Sequence, residues 1–327
     1  MRTAAATAVI GLVLAAAAAG GEPTIKVMLK EAEAMAVKPP EPGRPGGPDA
    51  GAQDSAYIKQ MKSRLETELF TMVNGMRQRG DLRAMGELYA DIQRFEEALG
   101  HYTNLLKNER DWHVEHGLAH GALARTYTLL GQPKLAKEAA EEFGKRVTEP
   151  WMLDQQKRLL EWMEKYDEHK AAAEKLVQKA SGDPKDAASR WRLLDMYRHD
   201  YPRRLDEMVD LMRFRENYPE HASVKSGECD WRLMESFWRF GIRDEALKIA
   251  EGFRQKFPEH GCSTGGEACF RLGNYYEGLQ RYAQALECYR EVGAKFPKHW
   301  SHRKKDDEPS HIERKIVDMT RAASGRR

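Results

Sequence analysis

The sequence predicts an all-α fold built from stacked helix pairs. From Ala56 onward, apolar residues recur at helical spacing in short runs that Gly- and Pro-containing turns separate. The pattern repeats, because Gly86, Ala124, Leu160, Asp195, Met234 and Gly273 occupy equivalent positions 38, 36, 35, 39 and 39 residues apart. Charged residues form 32% of the 327-residue chain, and the mean hydropathy is −0.73. A thin array of helices fits this composition better than a compact α/β enzyme.

Residues 1–21 have the layout of a secretory signal peptide. Arg2 is the only charge before the apolar run AVIGLVLAAAAAGG, in which Ala17 and Ala19 form an A-x-A-like cleavage site. The segment predicts export to the periplasm or cell envelope, with no stable membrane insertion after cleavage. A retained membrane anchor is the alternative, but the run is short and alanine-rich for a spanning helix.

Residues 22–54 predict a disordered linker between the signal peptide and the folded array. The segment is rich in glycine and carries Pro39, Pro40, Pro42, Pro45 and Pro48. Such a stretch has too little apolar surface to offset the entropy lost on ordering. We therefore divide the remainder into a helical array, residues 55–302, and a charged linker with a C-terminal capping helix, residues 303–327.

The array begins with an N-terminal packing helix that ends at Gly80, and six helix pairs follow it. These pairs span about residues 81–110, 117–145, 152–184, 187–219, 228–258 and 269–297. The third pair is degenerate and keeps only apolar spacing, through Leu159, Leu160, Met163, Ala172 and Leu176. A single helix pair cannot bury both of its faces, so the pairs must stack.

The stretch CFRLGNYYEGLQRYAQALECYREVGAKFP, residues 269–297, resembles the tetratricopeptide repeat (TPR). The signature positions are matched by Leu272, Gly273, Tyr276, Ala285 and Pro297, whereas Cys269 replaces the usual Trp and Tyr289 the usual Phe. The resemblance implies a right-handed TPR solenoid of about six repeats that binds a protein or peptide.

A second resemblance covers residues 227–299 and is to TPR proteins of bacterial envelopes, such as the β-barrel assembly lipoprotein and the Tol–Pal coordinator. It depends on the phrases KFPEH, LGNYY, ALECYREV and KFPKH. This chain departs from the lipoprotein because no Cys precedes Cys229.

Charge and cysteine content exclude several other classes. The net charge is +2, so no overall field favours nucleic acid or an anionic membrane. Cysteine occurs at Cys229, Cys262, Cys269 and Cys288, without the paired spacing of a zinc site. Export would permit a disulfide between some pair of them, but the sequence does not choose the pair. The sequence also leaves the oligomeric state open.

The TPR resemblance implies a concave groove, lined by the first helix of each pair, that holds a partner peptide. Aligning the helices places Trp231, Trp238, Phe270, Asn274, Arg83, Arg125 and Arg192 in this groove. Large aromatic side chains are favoured binding anchors. The alternative is that the aromatics pack between repeats. We do not expect the family's carboxylate clamp, because Glu87 and Glu235 stand where its Asn is required.

Two patterns resemble catalytic or metal sites. Residues 261–265 read G-x-S-x-G, but a helix rather than a strand precedes them, which favours a capping box between Thr264 and Glu267. The candidate zinc ligands His113, His116 and His120 lie at i, i+3 and i+7. They do not form H-E-x-x-H, and packing explains His120, so no cofactor is expected.

The leading hypothesis is an exported, non-enzymatic TPR scaffold that holds a peptide or protein in its groove. The alternative is a structural subunit of an envelope complex that binds through its end caps. A metal-dependent or serine hydrolase is the third and least favoured. Removing residues 303–327 is expected to spare groove binding and to disable end-on assembly.

Overall fold

The computed structural model describes residues 54–107, 113–147, 149–183, 185–304 and 308–325. This part of the chain contains fifteen α-helices, one short 3-10 helix and no strand, which confirms the predicted all-α fold. None of its helices is both long and apolar enough to cross a membrane. The predicted signal peptide and residues 22–53 of the predicted linker lie outside the described residues.

The helices follow one another in the order that the repeat pattern predicts. They are α1 (Ala56–Arg79), α2 (Leu82–Asp91), α3 (Phe95–Lys107), α4 (His113–Leu129), α5 (Pro133–Lys145), α6 (Pro150–Gly182), α7 (Ala187–Arg198), α8 (Arg204–Asn217), α9 (Ala222–Lys225), α10 (Glu228–Arg239), α11 (Arg243–Lys256), α12 (Gly261–Thr264), α13 (Glu267–Gly278), α14 (Tyr282–Lys295) and α15 (His311–Ala323), with the 3-10 helix Trp300–His302 before α15. Five helix pairs result: α2–α3, α4–α5, α7–α8, α10–α11 and α13–α14. Each pair also contacts the next element of the array.

Polar side chains define where several of these helices begin. Asp81 accepts a hydrogen bond from the Ala84 amide at 3.0 Å and caps α2, as Asp186 caps α7. Ser310 and Glu313 form a reciprocal capping box at the start of α15. These caps satisfy amides that have no partner within the helix.

Small residues let the two helices of a pair approach closely. A Cβ atom at Gly86 in α2 would lie 2.5 Å from Tyr102 Cε1 in α3. Likewise, a Cβ atom at Gly273 in α13 would lie 2.7 Å from Tyr289 Cε1 in α14. Each glycine therefore holds an aromatic ring of the second helix directly against the backbone of the first.

The third predicted pair is instead one continuous helix, α6. No Gly or Pro interrupts residues 151–181, so nothing in the sequence stops the helix. The buried stripe of α6 consists of Met152, Leu159, Trp162, Tyr166, Ala173, Val177 and Ala180. Leu160 and Ala172, two of the predicted apolar positions, are exposed.

The array closes on itself. If α6 is counted as the third unit, the first helices contact the fourth unit, α7–α8, and the fifth unit, α10–α11. The closing contacts are Arg213 Nε to Asp54 Oδ1 at 2.8 Å, Ser55 Oγ to Glu216 Oε1 at 2.9 Å, Arg239 Nη1 to Asp91 Oδ2 at 2.6 Å and Gln93 Nε2 to Asp206 Oδ2 at 3.0 Å. The predicted N-terminal packing helix α1 therefore bridges distant repeats as well as contacting α2.

A histidine occupies the loop after each of the last three pairs. The Nδ1 atoms of His221, His260 and His299 accept the backbone amide two residues ahead at 3.3, 3.1 and 3.4 Å. Each imidazole thereby starts the short helical turn that leads to the next element. Since Nδ1 accepts, the ring proton is on Nε2, and His299 Nε2 donates to Glu267 at 2.9 Å.

Each of these histidines also packs on two aromatic rings. His260 lies 5.1 Å from the Phe253 ring and 6.0 Å from the Trp231 ring. Replacing His260 with alanine is expected to lower the free energy of unfolding by about 1–2 kcal/mol, because one cap and two aromatic contacts are lost. Urea unfolding followed by circular dichroism measures this change.

His260→Asn is the matched control for that substitution. Asparagine retains an acceptor for the loop amide but has no ring. His260→Asn should therefore lower the free energy of unfolding less than His260→Ala does. Equal stability of the alanine variant and the wild type would mean that His260 does not stabilise the loop.

Candidate binding groove

A groove of about 630 Å³ lies between α10, α13 and α15. Helix α13 forms its floor and contributes Glu267, Phe270, Arg271, Asn274 and Glu277, which share one helical face because they are three or four residues apart. The groove is therefore a product of stacking, and no single repeat could form it.

One wall of the groove is built around Trp238 at the end of α10. Its ring stacks on Tyr275 with centroids 4.1 Å apart, and the Arg243 guanidinium lies 5.2 Å from the Trp238 centroid. The ring also fits over Gly278, where a Cβ atom would lie 2.8 Å from Trp238 Cζ2. Trp238 is thus a half-buried aromatic in a fixed position.

The opposite wall is an aromatic cluster around Trp300, which sequence reasoning missed. Trp300 is 45% exposed, and its Nε1 donates to Glu267 Oε2 at 2.9 Å. Its ring stacks on His311 at 5.4 Å and meets Phe270 edge-on at 5.1 Å. Burial and the neighbouring Lys315 lower the pKa of His311, which keeps this imidazole neutral near pH 7.

Charged residues in the groove are paired across neighbouring helices. Arg271 lies 3.4 Å from Glu235 of α10 and 3.2 Å from Glu267 of its own helix. Lys315 of α15 lies 2.7 Å from Glu277 of α13. The groove therefore presents both signs of charge and suits a partner with mixed polarity.

Asn274 is held at the centre of the groove floor. The Tyr289 hydroxyl lies 2.7 Å from Asn274 Oδ1 and 2.6 Å from Glu277 Oε2. Burial and the Glu277 carboxylate raise the pKa of Tyr289, so the hydroxyl stays protonated. The hydroxyl has one hydrogen for these two acceptors, and the Asn274 side-chain amide is fixed beside it on the groove floor.

The three predicted groove aromatics have different positions. Trp238 and Phe270 line the groove, although Phe270 is only 3% exposed. Trp231 lies outside it, is 6% exposed and packs 5.2 Å from Phe253. Packing between helices therefore explains Trp231, whereas Trp238 remains a candidate anchor.

The three predicted groove arginines from earlier repeats do not line this groove. Arg83 pairs with Glu87 at 2.6 Å and with Glu115 at 2.5 Å. Arg192 is exposed on α7.

Arg125 lies over the Trp162 ring, 5.2 Å from its centroid. Desolvation and the positive charges of Arg204 and Arg239 lower its pKa. It therefore faces the closed part of the array.

The histidine pattern on α4 does not form a metal site in the described residues. The side chain of His113 lies outside them, and His116 and His120 are half-buried one turn apart. Burial and the nearby Arg146 lower the pKa of His120. No three His, Cys, Asp or Glu side chains of the described part converge to hold a metal ion.

The G-x-S-x-G stretch forms the short helix α12 and not a nucleophile elbow. Ser263 is buried, and no strand precedes it in the described chain. The predicted capping box is wrong, because Gly266, with φ +86°, is the N-cap of α13. Thr264 instead donates back to the His260 carbonyl at 3.4 Å.

The terminal helix α15 supplies one side of the groove through His311 and Lys315. Removing residues 303–327 would therefore damage the groove as well as the end of the array. We therefore expect this truncation to weaken groove binding as well as end-on assembly.

The fold and groove define a helical-repeat array of the kind that binds other proteins. The tetratricopeptide repeat family model matches residues 266–299, which include α13 and α14. This match confirms the TPR resemblance for the last helix pair and supports a TPR protein. No curated protein matches the chain at a significant level. TPR repeats generally mediate protein–protein interactions and are generally non-catalytic.

Proposed function

We propose that this protein is an exported, non-enzymatic scaffold that holds an extended segment of a partner protein in the groove between α10, α13 and α15. The observation that carries the proposal is a preformed groove with fixed aromatic walls and the Asn274 side-chain amide at its centre. Preformed sites of this kind bind well because little ordering entropy is lost on association.

Each part of the groove has a distinct task in this proposal. Trp238 and Trp300 hold apolar side chains of the segment at opposite walls. Asn274 donates to a backbone carbonyl, which an extended segment leaves unpaired. The pairs Arg271–Glu267 and Lys315–Glu277 fix the direction of the segment by matching its charges.

Export is the second part of the proposal, and the features of residues 1–21 support it. If the signal peptide is cleaved, the mature chain recovered from the envelope fraction begins after Ala19. N-terminal sequencing of that chain tests this, and an intact Met1 would contradict cleavage.

Capture of partners from envelope extract tests the groove. Trp238→Ala combined with Asn274→Ala is expected to weaken capture about 10-fold or more, because a central aromatic anchor and a hydrogen bond are lost. The full chain serves as bait. Quantitative mass spectrometry compares the partners that are retained by wild-type and variant baits of equal helicity.

Trp151→Ala is the matched control for that experiment. Trp151 is 45% exposed on α6, away from the groove, so its loss should leave capture unchanged. Equal capture by the groove double variant and the wild type would exclude groove binding.

Equal capture would instead favour a structural subunit that assembles through its end helices. Exposed apolar side chains on the first and last helices support this alternative, namely Phe70 on α1 and Val317 on α15. A charge at either position, such as Phe70→Glu or Val317→Glu, would then abolish capture.

A further inference from the structure

Cys269 and Cys288 meet inside the last helix pair. Cys269 lies in the first turn of α13 and Cys288 in the middle of α14, and they are 1% and 9% exposed. The Cys269 thiol donates to the Cys288 carbonyl oxygen at 3.4 Å and lies 3.5 Å from Glu291 Oε2. The two side chains therefore share one small compartment between the helices.

The close approach at Gly273 brings the backbones of α13 and α14 together one helical turn from Cys269. Gly273 is one turn after Cys269, and a Cβ atom placed on it would lie 3.2 Å from Cys288 Cβ. Helix axes are usually about 8–10 Å apart, which is wide for a disulfide whose Cα atoms lie about 4.4–6.8 Å apart. The missing side chain at Gly273 lets α13 and α14 approach closely beside Cys288.

The environment also distinguishes the two thiols chemically. Contact with the Cys288 side chain, together with burial, raises the pKa of Cys269, and the same side-chain contact lowers the pKa of Cys288. Cys288 is therefore the better nucleophile of the pair. By contrast, burial raises the pKa of Cys229 to about 12 and that of Cys262 to about 11.

Glu291 completes the site as a fixed carboxylate. Arg254 donates to it at 3.0 Å and Lys295 lies 3.1 Å away, and the hydrogen bond from Arg254 outweighs burial and lowers the pKa of Glu291 to about 2. This carboxylate therefore stays charged near Cys269 and provides an acceptor for the hydrogen of its thiol.

We propose that Cys269 and Cys288 form a modification site at which a small-molecule disulfide closes an intramolecular disulfide bond. The Cys288 thiolate attacks one sulfur of glutathione disulfide, whose S–S bond breaks to release one glutathione thiolate. The released glutathione thiolate takes the Cys269 proton, and Cys269 then attacks Cys288 Sγ, which releases the second glutathione as a thiolate that solvent protonates. Two protein thiols are oxidised, and one glutathione disulfide is reduced to two thiols.

The bond would tie α14 to the helix that forms the groove floor. Phe270, Arg271 and Asn274 follow Cys269 on α13, so the disulfide would keep them in register with Tyr289 on α14. The unfolded chain would lose entropy because a loop of about 20 residues is closed, and this raises the thermal midpoint. This inference is independent of partner binding.

The experiment uses the full chain carrying Cys262→Ser, incubated with glutathione disulfide at pH 8 without denaturant. Trypsin cleaves after Lys256, Arg271 and Arg281, so Cys262 and Cys269 otherwise share one peptide, whereas Cys288 lies on another. Removing Cys262 makes the cross-linked peptide unambiguous by mass spectrometry. The expected result is loss of two thiols and a peptide that joins Cys269 to Cys288.

The thermal midpoint provides a second measurement. The oxidised protein should melt about 5–10 °C higher than the reduced protein, and dithiothreitol should reverse the shift. Cys269→Ser and Cys288→Ser should each abolish the shift, whereas Cys229→Ser should retain it. Four free thiols in the wild-type chain after prolonged incubation, or a cross-link that includes Cys229, would overturn the proposal.

Discussion

Replacing Arg232 with alanine is expected to lower the free energy of unfolding by about 3–5 kcal/mol. Arg232 is 1% exposed, and its guanidinium donates to Glu207 Oε1 at 3.1 and 2.8 Å and to the Leu194 carbonyl at 2.6 Å. It also lies 4.9 Å from the Trp191 ring centroid. Alanine would leave the buried Glu207 carboxylate without its principal partner, which is costly in a medium of low polarity.

Urea unfolding measures this loss, and two variants define its cause. Arg158→Ala removes an exposed arginine of α6 whose i,i+4 pair with Asp154 should contribute only about 0–0.5 kcal/mol. Arg232→Met with Glu207→Gln removes both buried charges, so it should recover part of the stability lost in Arg232→Ala. A loss below about 1 kcal/mol in Arg232→Ala would contradict the central role of this pair.

Gly273→Leu is expected to destabilise the last helix pair by about 3 kcal/mol. This value is at the upper end of the usual range of destabilisation for overpacked cores. The first added atom would lie 2.7 Å from Tyr289 Cε1 and 3.2 Å from Cys288 Cβ, so α13 and α14 would have to separate. The groove floor on α13 would move with them, and partner capture should fall together with stability.

Gly252→Leu is the control for this prediction. Gly252 is also within a helix, α11, but no atom lies within 4 Å of a Cβ placed there. Leucine is the better helix former, so this variant should be as stable as the wild type or slightly more stable. A Gly273→Leu thermal midpoint equal to that of the wild type would mean that α13 and α14 are not in the register described.

Sequence periodicity predicts the helices well because helix formation depends on residues three and four positions apart. It cannot distinguish one long helix from two short ones when no turn residue intervenes, as in α6. Leu159 and Leu160 are both apolar, so either helical face fits the pattern, and packing against the neighbouring helices decides which residue is buried.

The candidate site shows where reasoning from one repeat fails. Helical register places Trp231 and Trp238, seven residues apart, on the same face of α10, but a loop histidine, His260, and Phe253 cover only Trp231. Trp300 and Lys315 enter the groove because the terminal helix folds back against α14. Such contacts join residues that are far apart in sequence, so no local sequence pattern predicts them.

The contact between Asp91 and Arg239 has a consequence for how this protein can change during evolution. A linear repeat array can gain or lose a unit because each unit touches only its neighbours. Here, a duplicated unit inserted between α3 and α10 would push these two residues apart by the thickness of a repeat. The number of units in the closed part is thereby constrained, whereas a unit added after α11 would leave this contact intact.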